Sequence, residues 1–322
     1  MRHEPLFLEP SFKDRIWGGT KLREAFGYDI PSETTGECWG ISAHPHGPSK
    51  VKNGPLKGKT LNQVWEQHPE LFGSYADGEF PLLTKIIDAK TDLSVQVHPD
   101  DEYARKKENQ PYGKTECWYI IDCEEGAEII YGHNAQSPEN FRAMVDEGEW
   151  DKLLRRVKVK PGDFFYVPSG TIHAIGGGIM ILETQQSSDI TYRVYDYDRK
   201  GSDGKPRELH IDPSIEVTQY PHRDPELNYR IHQDSQAVFK ELVSEKYFAV
   251  QHWDIRGFAK VSKAQPFLLA SVISGDGSMN VDGKTYQIKK GDHLIVPAGI
   301  DVFELDGNVE IIVSHPSVAL DQ

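Results

Sequence analysis

One short pattern occurs twice in this chain, and only one copy carries a histidine. Residues 162–173 read GDFFYVPSGTIH and residues 291–302 read GDHLIVPAGIDV. Gly162, Asp163, Val167, Pro168 and Gly170 return as Gly291, Asp292, Val296, Pro297 and Gly299 at a constant offset. Each copy is a short apolar run followed by a proline–glycine turn, the grammar of a strand that stops where proline removes a ladder donor. In this alignment His173 falls opposite Val302. A strand-and-turn frame built twice constrains the fold to two units of similar shape, one of them equipped with an imidazole.

The rest of the chain is β-rich. Apolar runs at Cys117–Ile121, Glu128–Tyr131, Phe164–Val167, Ile179–Thr184, Phe267–Ile273, Tyr286–Ile288, Leu294–Val296 and Glu310–Val313 are separated by Gly, Pro and Asp. That punctuation predicts antiparallel sandwiches or barrels. Asp282-Gly283 sits between strand-like flanks and tolerates the positive φ of a two-residue hairpin turn. Helical patterning is confined to two stretches. In 60–72, Leu61, Val64, Trp65 and Leu71 recur at helix-like spacing, interrupted by Pro69. In 137–156, Ser137 and Pro138 supply a cap and a first-turn proline, so this stretch reads as helices inserted between two strands of the first unit. A length of 322 residues suits two domains. The polar stretch 218–234 marks the boundary, dividing the chain into residues 1–234 and 235–322.

A formal net charge of −14 argues against nucleic-acid partners and anionic membranes, which call for basic surfaces. It leaves room for a phosphorylated small molecule, because a few local cations suffice to hold one phosphate. The odd trio Cys38, Cys117 and Cys123 lacks CxxC spacing, so neither a disulfide framework nor a zinc knuckle is expected. No apolar run reaches membrane-spanning length and the first residues lack a secretory core, so a reducing cytoplasm is expected. The sequence gives no indication of oligomeric state.

Metal-binding chemistry gathers around the first turn. Gln96 and His98 alternate on a strand and so share one face, ~6.5–7 Å apart along it, before Pro99 ends the ladder. Glu116 immediately precedes the apolar run CWYII, and His173 follows the Pro168–Gly170 turn. An amide oxygen, two imidazoles and a carboxylate suit a divalent ion such as zinc, with manganese, iron and cobalt as the other candidates. Most single histidines are ordinary hydrogen-bonded groups, and His44 and His46, split by Pro45, read as a loop pair. The second unit acts as an internal control. Laying E116-CWYII over L269-ASVIS puts Glu116 against Leu269, so the frame folds without either ligand.

Gly162-x5-Pro168-x-Gly170-x2-His173 resembles the second motif of the cupin superfamily, a jelly-roll fold, with Gly177 in place of the usual asparagine. The first motif has Gln96-x-His98 and then Glu116 where cupins usually show His-x-His and Glu. That exchange resembles the type I mannose-6-phosphate isomerases, especially their short bacterial form. SVQVHPDD, KTECW, PSGTIHAIGGG and ILETQQSSDITYRVYDYDR carry the likeness, which runs from Trp17-Gly18-Gly19 and Glu37-Cys38-Trp39-Gly40 to the C-terminal unit. Lys114-Thr115-Glu116 departs from the family's Lys-Pro-Glu, and the chain lacks the length for the helical domain of larger members.

The resemblance implies a mainly β protein of two cupin-like jelly-roll units, the C-terminal one degenerate, with a few inserted helices. It implies one Zn2+ per chain on Gln96, His98, Glu116 and His173. Arg193 matches the active-site arginine; Lys114 and Glu183 are the acid–base or positioning candidates, and Asp189 and Lys114 lie near the substrate. The implied reaction interconverts mannose 6-phosphate and fructose 6-phosphate through an enediolate. The competing readings are an iron cupin dioxygenase and a non-catalytic sugar-binding cupin.

Overall fold

The computed structural model describes residues 3–75, 78–201 and 203–317. Two antiparallel sheets form the first unit. A six-stranded sheet runs in the order Phe164–Val167, Glu116–Cys123, Ile179–Gln186, Leu82–Ala89, Thr35–Ile41, Ser11–Gly19. Facing it, a five-stranded sheet runs Tyr192–Tyr195, Val95–Val97, His173–Ile175, Glu128–His133, Leu154–Lys158.

The strands Leu82–Ala89 and Ile179–Gln186 are buried along their whole length. Alternate residues explain this, because successive side chains leave a strand on opposite faces. Ile87, Ile179 and Ile181 join the core between the two sheets, whereas Ile86, Met180 and Leu182 join a larger core shared with the second unit. The six-stranded sheet is therefore a wall with a core on each side, which accounts for unbroken apolar runs.

The second unit is built on a nine-stranded sheet. Its path is Arg230–Gln233, Ala237–Ser244, Phe248–Ser262, Val302–Pro316, Leu268–Val281, His293–Val296, Leu6–Glu9, Lys50–Val51, with Lys284–Lys289 paired to Leu268–Val281. Three of these strands bend at a row of glycines in register, Gly257, Gly307 and Gly277. A Cβ on Gly307 would lie 2.5 Å from the Gly277 Cα, so only glycine allows the strands to cross this corner so closely. In the first unit each matching strand is broken in two instead: 82–89 and 95–97, 116–123 and 128–133, 173–175 and 179–186.

The sheets interleave the ends of the chain. Leu6–Glu9 pairs with His293–Val296, and Arg230–Gln233 forms a hairpin with Ala237–Ser244, so a division after residue 234 passes through that hairpin.

All eight expected strand runs are present, and the Asp282-Gly283 turn has φ of 50° and 81°. Residues 61–67 are helical, opened by a reciprocal cap between Thr60 and Gln63; Pro69 starts a separate short turn, Pro69–Leu71. The second helical stretch is shorter than its sequence pattern. Ser137 caps Pro138–Asp146, accepting from the Asn140 amide at 3.2 Å, and Trp150–Leu153 follows. At Leu154 the chain turns to strand, because Leu154–Lys158 finds a ladder partner in Glu128–His133, and pairing overrides local propensity.

Register corrects the overlay of the two units. Glu116 pairs with Val167, whose counterpart Val296 pairs with Leu268, so Leu268 rather than Leu269 occupies the position of Glu116. Val302 is 43% exposed while Phe303 is buried, so the inward position that His173 fills falls to Phe303. The ungapped alignment slips by one residue after the turn, and one residue in a strand exchanges its faces. No helix among the described residues is long and apolar enough to cross a membrane.

Candidate active site and metal centre

Two rows of inward-facing residues confront each other between the sheets of the first unit. On the five-stranded sheet, His173, Gln96 and Arg193 are register neighbours on three adjacent strands. Opposite, the row Trp118, Glu183, Lys85 and Trp39 crosses the six-stranded sheet, with Glu116 one pleat away on the strand of Trp118. Between them lies a cleft of about 450 Å³, lined by Gln96, Lys114, Glu183, Asp189 and Arg193 among others.

His98, Glu116 and His173 converge in the buried floor, each offering a ligand atom within 4.8 Å of the others. The Nδ1 of His98 donates to the Ile190 carbonyl and that of His173 to the Thr171 carbonyl, both at 2.8 Å. Carbonyls only accept, so each neutral ring presents a bare Nε2 lone pair to the centre. Burial, reinforced by the Lys114 charge, lowers the His98 pKa to about 3, and burial lowers that of His173. Burial opposes ionisation of Glu116, but Lys114 and the two imidazoles outweigh it and hold the carboxyl well below its usual range.

Both Nε2 atoms lie 3.4 Å from a Glu116 oxygen, so lone pairs face lone pairs with no proton of their own between them. The Lys114 ammonium relieves that repulsion, at 2.8 Å from Glu116 Oε2 and 3.0 Å from His98 Nε2. Glu116 Oε2 nonetheless makes no aligned hydrogen bond. Two neutral imidazoles and an ionised carboxylate gathered at one buried spot fit a divalent metal ion. The Gln96 amide nitrogen stands 3.4 Å from His173 Nε2, and turning the amide over brings its oxygen to the same spot.

Glu183 is buried beside this floor, accepting from Trp118 Nε1 at 3.1 Å and lying 3.4 Å from Lys85 Nζ. Burial and the neighbouring Glu116 charge raise its pKa. Arg193 donates to Ser94 Oγ at 3.3 Å and to the Glu208 carbonyl at 2.8 Å, and among the described residues no carboxylate forms an ion pair with it. Asp189 sits at the mouth of the cleft, bound to His46 Nδ1 at 2.7 Å.

His44, His46 and Asp189 form a second donor cluster, on a loop as the sequence pattern predicts. His44 Nδ1 accepts from the His46 amide at 3.2 Å, which leaves the ring proton on Nε2, the atom facing Asp189. His46 Nδ1 is already bonded to Asp189 at 2.7 Å, and this cluster is partly exposed, unlike the buried one.

Sequence reasoning missed Lys85, Glu37, Arg15 and Arg207, which also line the cleft. Glu37 lay in a quoted segment, and Lys85 interrupts an apolar strand. A charged residue in a run that is otherwise buried was the available signal for both.

Two family models match this chain: "Phosphomannose isomerase type I, catalytic domain" over residues 6–142 and "Mannose-6-phosphate isomerase, cupin domain" over residues 239–316. The chain is 56% identical to "Mannose-6-phosphate isomerase ManA" of Bacillus subtilis, covering 98% of this chain and 100% of that protein. It is 54% identical to the "Mannose-6-phosphate isomerase" of Streptococcus mutans over 97% of this chain and 98% of that one. The crystal structure of a Bacillus subtilis mannose 6-phosphate isomerase superposes with a TM-score of 0.95 at 54% identity, covering 97% of this chain and 99% of that one.

Proposed function

The chain belongs to the type I phosphomannose isomerase family, and we propose how its cleft interconverts mannose 6-phosphate and fructose 6-phosphate. One zinc ion per chain is held by His98, Glu116 and His173, with the Gln96 amide oxygen completing the set. The observation that carries this reading is the convergence of two unprotonated Nε2 atoms and an ionised carboxylate in a buried floor. When bound, the ion supplies Lewis-acid stabilisation of the negative charge that develops on the sugar's two reacting oxygens.

The protein's own groups do the rest. Lys114 stays protonated, because Glu116 and Glu183 outweigh the burial that opposes its charge, so it acts as a hydrogen-bond donor to a sugar oxygen. Glu183, with its raised pKa, takes the proton from one carbon of the C1–C2 pair and returns it to the other. Arg193, with no carboxylate paired to it among the described residues, lies one strand beyond Gln96 and anchors oxygens without competing as a proton donor. Asp189 orients the sugar at the mouth. The cleft's five basic and three acidic side chains favour an anionic substrate in an acidic protein. Three free cysteines fit a reducing cytoplasm.

A coupled isomerase assay on metal-stripped and zinc-restored protein tests this reading. Turnover should vanish on stripping, return with one equivalent of zinc, and proceed equally well without oxygen. Full turnover by stripped protein would overturn the metal's role, and oxygen consumption would favour the dioxygenase reading.

A further inference from the structure

Four of the five cations lining the cleft have a carboxylate partner. Arg15 pairs with Glu37 at 3.0 Å, Lys85 with Glu183 at 3.4 Å and Lys114 with Glu116 at 2.8 Å, each one to one. Arg207 differs. It grips Asp196 with two bonds, Nε to Oδ2 at 2.8 Å and Nη2 to Oδ1 at 2.6 Å, but Asp196 also takes Arg199 Nη2 at 2.6 Å. Arg193, the fifth cation, has no such partner among the described residues and lies against the same segment: its Nη1 holds the carbonyl of Glu208, and its backbone exchanges hydrogen bonds with His210. Arg199 and Arg207 thus share one buried carboxylate, and the Arg193 guanidinium beside them is paired with none among the described residues. The surplus of two positive charges matches a phosphate monoester dianion.

Position agrees with charge. Along the cleft the order is His173, Gln96, Arg193, and then the segment that carries Arg207. An open-chain hexose phosphate has its reacting carbons at one end and its phosphate at the other. We propose that Arg207, locked onto Asp196 beside Arg193, grips the phosphate of the sugar and sets its distance from the metal end. The proposal rests on the isomerase reading for the identity of the sugar, but its anion site is testable alone. Asp196 acts as a positioning residue, fixing the planar fork of Arg207 so that its remaining N–H edge is presented in one orientation.

The test uses the zinc-loaded full chain, inorganic phosphate as the probe, and the variants Arg207→Gln and Arg207→Lys. Calorimetry should show phosphate binding to the parent protein that weakens about tenfold to a hundredfold in Arg207→Gln, the range for a charge-assisted contact. Arg207→Lys should fall between the two, because it keeps the charge but loses the two-pronged hold on Asp196. KM for mannose 6-phosphate should rise in parallel while kcat changes by less than about threefold. A merely structural arginine would not produce that KM-against-kcat split. Equal phosphate affinity in all three proteins, or a loss confined to kcat, would overturn the proposal. Should the parent bind phosphate yet fail to turn over mannose 6-phosphate, the isomerase reading fails and the anion site stands.

Discussion

In the first unit, the strand beginning at Glu116 and the turn ending at His173 face each other across a charged interior. In the second, Leu268 and Phe303 hold the corresponding places, and their interior is lined by Trp253, Met279, Leu294 and Leu305. The connections differ in the same sense. Between the strands Glu128–His133 and Leu154–Lys158 the first unit inserts helices, where the second makes do with Asp282-Gly283. The apolar unit runs its strands unbroken around a glycine corner, whereas the polar unit breaks each one and gains loops at its cleft. The frame needs no metal ligand to fold, so the charged interior of the first unit is retained for chemistry, at some expense in stability. Buried charges without a matching partner are costly, and here nearly every one has a partner within 3.4 Å.

The most drastic way to break this comparison is to give the apolar unit a charge. Leu268→Glu places a carboxylate where no cation or donor awaits it, and should lower unfolding free energy by about 4 kcal/mol or more. Chemical denaturation reads the loss; a fully stable variant would mean the second interior is wetter than its lining implies. Next comes removal of a donor from the polar unit. His173→Ala should drop bound metal below a tenth of an equivalent and turnover by about a thousandfold, followed by elemental analysis and coupled assay. Stoichiometric metal in that variant removes His173 from the ligand set.

Arg193→Ala should leave fold and metal intact and reduce turnover at least about a hundredfold, in keeping with loss of one preorganised charge contact. A rate near that of the parent would defeat its role. Smaller still is the effect of the one buried histidine in the apolar unit. His293 accepts from Ser271 Oγ at 2.8 Å and donates to Tyr28 OH at 3.0 Å, which itself donates to the Gly291 carbonyl. It ties the two units together as a neutral ring, and burial holds its pKa at about 3 against 6.5 in an open chain. Between those values the unfolded chain binds the extra proton, so this contribution is complete above pH 6.5 and drains away on acidification towards pH 3. His293→Gln should cost about 1–2 kcal/mol at pH 7 and flatten that acid limb in denaturation curves. An unchanged pH profile would show that the ring is not held neutral. Least of all, Gly283→Ala, at φ 81° with open space around a new Cβ, should cost about 1 kcal/mol of thermal stability through backbone strain alone.

Much of this arrangement was legible in the residues. The strand runs, the hairpin and the placement of inserted helices follow from punctuation and alternation, which depend on local backbone chemistry. His98, Glu116 and His173 could be picked out because their second-unit counterparts lack the donors. What the residues did not disclose depends on pairing. The exchange of Leu269 for Leu268 and of Val302 for Phe303 is a one-residue register matter, fixed by partners far away in sequence. Strand at Leu154–Lys158 replaced the expected helix for the same reason. Lys85 and Arg207 escaped notice because their roles come from which carboxylate each meets, and those partners lie on other strands and loops.

Anomalous X-ray diffraction at the zinc edge, on crystals of the zinc-loaded protein, tests the division of labour between the two units most directly. A single strong peak is expected among His98 Nε2, His173 Nε2 and Glu116, at bonds of about 2.0–2.2 Å, with none in the second unit. Density only at His44, His46 and Asp189, or no peak in the buried floor, would contradict the account.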